Sequence, residues 1–326
     1  MEFSQYRRAD DIRPYTIHAQ GMINKMINGV LNLNKPTGKS SHDMVYFARR
    51  IYGIKKVGHA GTLDPAASGV LPILIGSGTK LSDLLLNHDK SYRAVLKLGV
   101  TTDTMDATGT ITKTCDNLPT CEQIYKVCKT FTGTITQTPP IYSAIKVKGR
   151  KLYEYARENK NSQIEIAPRE VNIYDLSCEP TDKSDKYTLN ISCSKGTYIR
   201  SICHDIGEAL GCGGIMAELV RTRSGDFDIA QAYTPEQIEA LDTPESAVIS
   251  CEQILQNFTD KKIHLSAFYS KLAKNGAEIY LSKLGLDDSY NINDEVLMYD
   301  EENKLFAFGE IKSFPNGLAC KARIFI

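Results

Sequence analysis

Nothing in this chain is long and apolar. Across 326 residues no hydrophobic run reaches the length of a bilayer span, and residues 71–75 are too few even for the core of a signal peptide. A paired-cysteine pattern is also missing. Nine cysteines stand scattered at positions 115, 121, 128, 178, 193, 203, 212, 251 and 320, an odd count with no C-x-x-C. That excludes a disulfide framework and a zinc knuckle, and points to a reducing cytosol in which each thiol is a small buried hydrophobe. Net charge is absent as well, since 39 Lys+Arg balance 39 Asp+Glu. There is no internal repeat and no low-complexity tract. The run Gly76-Ser77-Gly78-Thr79-Lys80 lacks the spaced glycine of a phosphate loop, which sets nucleotide hydrolysis aside.

What is present is ordinary in amount and uneven in placement. Hydrophobic residues make up 42% and charged residues 24%, the composition of a globular protein with a sizeable core, and the length fits about two domains. Residues 26–150 hold 16 Lys+Arg against 8 Asp+Glu, residues 151–231 hold 10 against 13, and residues 232–326 hold 9 against 15. A basic segment inside a neutral chain concentrates phosphates near one place while the acidic remainder limits non-specific adhesion.

Residues 1–25 have no apolar period and read as a poorly ordered extension. From residue 26 the pattern becomes regular. Alternation predicts strands over 29–34, 92–100 and 187–193, and a buried strand over 69–75. Helices are expected after the caps at Ser40 or Ser41, ending at Gly53, then around 80–86, over 118–131, and over 199–210, the last closed by Gly211, Gly213 and Gly214. Residues 137–140 break the chain. Strands and helices mix without β-α-β alternation, which predicts an α+β fold with a mixed, largely antiparallel sheet flanked by helices. A boundary falls between residues 241 and 260, giving a main domain over 26–250 and a small β-rich one over 258–326. The latter carries short strands at 279–281, 295–299, 305–311 and 320–326 and a turn at Asn316-Gly317.

One stretch stands out: Gly58-His59-Ala60-Gly61-Thr62-Leu63-Asp64-Pro65-Ala66-Ala67-Ser68-Gly69. The glycines permit close backbone approach, and the proline biases Asp64 toward extended backbone. A carboxylate in a stiff turn among small side chains suits a large planar substrate. Taken alone, Asp64 reads equally as a turn aspartate bonded to its own backbone. No second acid lies close in sequence, so a paired-carboxylate glycosidase cannot be read from it.

Several separated motifs lift Asp64 above that reading. They are Lys35-Pro36-x-Gly38-x-Ser40-Ser41, the Asp64 loop, Leu98-Gly99-x-x-Thr102-Asp103-Thr104-x-Asp106-x-x-Gly109, Pro139-Pro140-x-Tyr142-Ser143-Ala144-Ile145-Lys146, Lys151-Leu152-Tyr153-Glu154-Tyr155-Ala156-Arg157, and Cys193-Ser194-Lys195-Gly196-Thr197-Tyr198-Ile199-Arg200. In order and spacing, from about residue 28 to 223, they resemble the bacterial TruB family of tRNA pseudouridine synthases. Thr62 is a local departure in a position where small residues vary. The C-terminal part is similar to that family's PUA-like RNA-binding module only in size and strand content.

The resemblance implies a pseudouridine synthase fold and a set of roles. Asp64 is the nucleophile. Tyr92 stacks on the target uracil and takes part in removing the C5 proton. Arg200 pairs with Asp64 and, as an opposite charge in contact, holds the carboxylate ionised. Tyr198 and Leu219 line the uracil pocket, and His59 fills the stack that the uridine leaves. Lys35 and Lys146 either support the loop or bind phosphate. The implied substrate is uridine 55 in the T-loop of tRNA, with no guide RNA, no membrane, no metal and no cofactor, acted on by a cytoplasmic monomer. The isomerisation breaks N1–C1′, rotates the uracil and rejoins it through C5. The nucleotide must first leave its stack, at a cost of a few kcal/mol. The carboxylate can attack C1′ or the pyrimidine ring. Two other readings stand beside it: a guide-RNA-dependent relative sharing the Thr-Leu-Asp-Pro core, and an RNA-folding protein whose benefit does not depend on catalysis.

Overall fold

The computed structural model describes residues 27–143, 145–147, 149–157, 166–286 and 289–326. The extension expected over 1–25 lies outside them. A ten-stranded sheet forms the larger part. Its main path runs Val248–Ser250, Gly29–Lys35, Ser68–Ile75, Gly214–Ser224, Lys90–Leu98, Lys186–Cys193, Arg169–Pro180 and Gly133–Gln137. Val57–His59 pairs on Ser68–Ile75, and Phe227–Asp228 on Gly214–Ser224. The ladders are antiparallel except the short one joining Val220 and Arg221 to Ser68 and Gly69. That single parallel contact lies beside the Asp64 loop.

Local chemistry explains why these elements form. Ser40 caps the helix Ser41–Tyr52: its hydroxyl accepts from the Asp43 amide, Asp43 accepts from the Ser40 amide, and Gly53 ends the helix at φ 65°. The helix Cys121–Thr130 begins in the same way at Thr120 and Gln123. The helix Ile199–Ala209 has no side-chain cap at Tyr198; two hydrogen bonds from a neighbouring glutamine, described below, fix its entry instead.

Around the strands Gly29–Lys35 and Ser68–Ile75 the sheet is covered on both faces. In the Gly29–Lys35 strand, Leu31 and Leu33 point into a core with Ile202 and Ile206, while Val30 points the other way. There Val30, Val70 and Leu74 pack with Leu255, Leu297 and Phe308. Leu297 and Phe308 belong to a second, five-stranded sheet ordered Lys262–His264, Glu295–Tyr299, Leu305–Phe314, Gly317–Phe325 and Ile279–Tyr280. Burial of both faces in that part accounts for a strand such as Ser68–Ile75 that is apolar almost throughout.

The expected strands at 29–34, 69–75, 92–100 and 187–193 appear within two residues of their bounds, as do the helices over 41–52 and 199–210. The helix expected around 80–86 is shorter, Ser82–Leu86, after a 3-10 turn. Gly214 does not close a helix but opens a central strand, Gly214–Ser224. Two register shifts, at Met216/Glu218 and Arg221/Arg223, break the alternation that would have marked that strand. The segment around 137–140 does leave regular structure, but only after Gln137 has ended an edge strand.

Candidate active site

The Asp64 loop links Val57–His59 to Ser68–Ile75 and is held from three sides. The Ser41 hydroxyl donates to the Leu63 carbonyl at 3.0 Å and accepts from the Leu63 amide at 2.8 Å. The Pro65 carbonyl accepts from the Gly38 amide at 2.8 Å and from Lys35 Nζ at 3.5 Å. On the far side, Arg221 donates to the Gly61 carbonyl at 3.1 Å and to the Val70 carbonyl at 2.6 Å. Leu63 and Ala67 are buried and anchor the turn, which the Ala67 amide closes onto the Asp64 carbonyl at 3.0 Å. Gly69, at φ 105°, has no room for a Cβ, which would fall 2.2 Å from the Arg221 carbonyl.

With the backbone clamped, the Asp64 side chain is turned toward Arg200. Its Oδ2 stands 3.1 Å from an Arg200 terminal nitrogen, and 41% of the side chain is open to solvent. Arg200 is buried. The nitrogen that meets Asp64 also donates to the Tyr142 carbonyl at 2.7 Å; the other donates to the Thr104 carbonyl at 3.4 Å and stands 3.7 Å from Asp106 Oδ2. Asp106 is held by the Thr104 hydroxyl at 2.8 Å, the Thr108 amide at 2.9 Å and the Thr108 hydroxyl at 2.6 Å. One guanidinium therefore serves two carboxylates.

This arrangement corrects the expectation that Arg200 simply lowers the Asp64 pKa. Burial pushes the Asp64 carboxyl up; Arg200 pulls it down, Asp106 adds a further upward push, and Lys35 a further pull down. The net direction is upward. Crowding of the carboxyl by protein atoms outweighs a cation that is itself shared.

Tyr92 lies in the strand Lys90–Leu98, opposite Ile191 on one side and Arg221 on the other. Burial raises its phenol pKa, opposed by the Arg221 guanidinium within hydrogen-bond reach. Leu219, buried, sits two residues before Arg221 on the same face of its strand. His59 is half-buried, its Nδ1 has no partner, and burial followed by Arg221 and His42 keeps its pKa low. Tyr198 is half-buried with the Arg169 guanidinium 5.0 Å from its ring centre. Lys35 is fully buried. Its ammonium donates to the carbonyls of Pro36, Lys39 and Pro65, and burial lowers its pKa to about 8. Of the two uses expected for Lys35, geometry fits loop support. Lys146 stands exposed in a short hairpin with Arg150–Lys151, apart from the contacts that hold the Asp64 loop.

Three further residues belong to this arrangement. Asp106 lies within the run from Leu98 to Gly109, whose acid-and-threonine pattern is the available signal. Arg221 carried none: an arginine 1% exposed is not expected from a mixed-charge strand. Gln137, also fully buried, donates to the Tyr198 carbonyl at 3.0 Å and accepts from the Tyr198 amide at 2.8 Å. That reciprocal pair orients the helix that carries Arg200. Among the described residues no group of three or more His, Cys, Asp or Glu is placed to hold a metal ion, and no helix is long and apolar enough to cross a membrane.

The comparisons agree with the geometry. Residues 49–199 match the TruB family pseudouridylate synthase N-terminal domain, and residues 200–258 match the tRNA pseudouridylate synthase B C-terminal domain. The tRNA pseudouridine synthase B of Alkaliphilus oremlandii is 43% identical over 88% of this chain and 94% of its own length. That of Clostridioides difficile is 40% identical over 91% and 98%. Among solved structures, a Cbf5-Nop10-Gar1 complex contains a chain similar in fold, with TM-score 0.63 and 25% identity over 92% of this chain and 85% of that one. Identity at this level across nearly the whole of both sequences, together with an aspartate loop clamped as described, means that the chain belongs to the TruB family of pseudouridylate synthases.

Proposed function

We propose that this protein isomerises uridine 55 in the T-loop of tRNA to pseudouridine, without guide RNA or cofactor. The observation that carries the reading is the Asp64 carboxylate: its backbone is fixed by Ser41, Lys35 and Arg221, while its side chain projects to a buried guanidinium. Such a carboxylate is pre-aimed and loses little freedom on attack.

The residues take these roles. Asp64 is the nucleophile. Arg200, bracketed by Asp106 and two carbonyls, holds it in line. Tyr92 stacks on the uracil and assists removal of the C5 proton. Tyr198 and Leu219 shape the uracil pocket, and His59, neutral in its half-buried position, fills the vacated stack. Lys35 braces the loop; Lys146 meets phosphate at the rim. Stacking of the extruded base on an aromatic returns about 1–3 kcal/mol toward the cost of flipping. The five-stranded C-terminal part, over 258–326, acts as a PUA-like RNA-binding module, and the working form is a cytoplasmic monomer. The relatives named tRNA pseudouridine synthase B, matched over nearly their full length, favour stand-alone action over guide dependence.

The test is tritium release from C5-labelled uridine in a T-arm stem-loop, without guide RNA. Release by the intact chain and none by Asp64→Asn is the expected outcome. No release by folded, RNA-binding protein would favour the guide-dependent reading or an RNA-folding protein, and release by both would mean a different nucleophile.

A further inference from the structure

The basic character of residues 26–150 has to be located before it can be used. Two of its cations are spent internally: Lys35 as described, and Lys90, which is buried with its ammonium on the Leu86 and His88 carbonyls. A third, Arg50, is paired with Glu239. Of the others, Lys39, Arg49, Lys55 and Lys56 lie on or directly beside the helix Ser41–Tyr52. Lys39 is exposed just before the helix, and Lys55 and Lys56 are exposed just after it. The one acid on that helix, Asp43, is engaged in the Ser40 cap.

Along one face of that helix run His42, Tyr46 and Arg49, spaced i, i+4 and i+7, so they form one stripe. The His42 ring meets Tyr46 edge-on at 4.7 Å, and the Arg49 guanidinium lies 5.4 Å from the Tyr46 ring centre. Arg49 is in turn steadied by the Val57 carbonyl at 3.4 Å. Tyr46 is nevertheless 57% exposed. A tyrosine propped by two neighbours and left open is ordered in advance, so a planar group stacking on it meets little entropic cost.

The stripe is continuous with the Asp64 site. Ser41, next to His42, is the residue whose hydroxyl holds both backbone groups of Leu63, and His42 is close enough to His59 to depress its pKa. From His42 to Arg49 the helix rises about 10 Å.

We propose that His42, Tyr46 and Arg49 form a second contact for the substrate RNA, on which an unpaired loop nucleotide near the extruded uridine stacks while Lys39, Lys55 and Lys56 meet its phosphates. Aromatic and cationic groups interleaved on one surface are what single-stranded nucleic acid recognises. The inference rests on the tRNA reading above and adds a surface to it.

The experiment is fluorescence anisotropy of a labelled T-arm stem-loop, and of a loop-free duplex of the same stem, with the full chain, Tyr46→Ala, Tyr46→Phe and Lys55→Gln/Lys56→Gln. Tyr46→Ala should weaken stem-loop binding roughly five- to a hundred-fold and leave the duplex unaffected, with Tyr46→Phe close to the intact chain. The double lysine variant should lower the salt slope by about one to two. The exposed position of Tyr46 leaves the fold of Tyr46→Ala intact, which the melting temperature checks. Stem-loop affinity unchanged in Tyr46→Ala overturns the proposal and leaves the stripe to a protein partner. Binding that depends on Tyr46 in a chain that isomerises nothing would sink the catalytic reading alone.

Discussion

Two buried arginines flank the Asp64 loop, and they are put to opposite uses. Arg200 faces two carboxylates and two carbonyls at the mouth of the site. Arg221, deeper, faces the carbonyls of Val70 and Gly61 and the Tyr92 phenol. The first wall manages charge that must stay reactive. The second manages geometry, spending a cation on peptide dipoles so that a loop and a strand cannot shift. Burial of a guanidinium is costly in either place, so its purpose has to be read from its partners.

That contrast can be broken most sharply at Arg200. Arg200→Met should lower single-turnover isomerisation by about a hundredfold or more, because the nucleophile loses its alignment. Its pH profile should move too. The Asp64 carboxyl already titrates above its ordinary range, and activity needs the ionised form, so activity is lost as pH falls through that raised pKa. Removing the cation that opposes the rise should carry the acid limb to still higher pH. An unchanged limb would mean that Asp64 does not report the pH dependence.

Arg221→Met should instead act on stability. Two buried carbonyls lose their donor, against which the cost of burying a charge is removed, leaving a net loss of about 2–4 kcal/mol in urea unfolding. The acid limb of the fraction that remains folded should stay where it is. A shifted limb with unchanged stability would erase the distinction between the two walls.

The finest test is Asp106→Asn. It removes a carboxylate that raises the Asp64 pKa and leaves Arg200 to Asp64 alone, so the acid limb should move to lower pH. Arg200 also loses one side of its bracket, and the rate at the pH optimum should fall by about tenfold. A limb moving upward would show that Asp106 acts on Asp64 by holding Arg200 rather than by its own charge.

How much of this the sequence disclosed follows from how each residue is recruited. Asp64 sits in a loop whose glycines and proline advertise backbone constraint, and Ser40, Gly53 and the apolar periods mark the Ser41–Tyr52 helix through purely local chemistry. Tyr198 and Arg200 are candidates through a motif in family order, and Tyr92 only through the resemblance that the motifs together carry. Arg221 and Gln137 were not legible because their partners lie far along the chain: Arg221 bonds Val70 across 151 positions, and Gln137 bonds Tyr198 across 61. The strand Gly214–Ser224 escaped because two register shifts and internal charges disguise a buried strand as a polar one. Long-range satisfaction of buried polar groups leaves no periodic trace.

The apolar cluster joining Val30, Val70 and Leu74 of the large sheet to Leu255, Leu297 and Phe308 has a consequence for how the molecule comes apart. The second sheet is a lid on the back of the first, so neither can melt while the other persists without opening that shared interior to water. The C-terminal part is thereby bound into the cooperativity of the whole. A chain shortened at residue 257 would have to carry an exposed greasy face directly behind the strands that hold its nucleophile, and damage on the back of the sheet would be felt at Asp64.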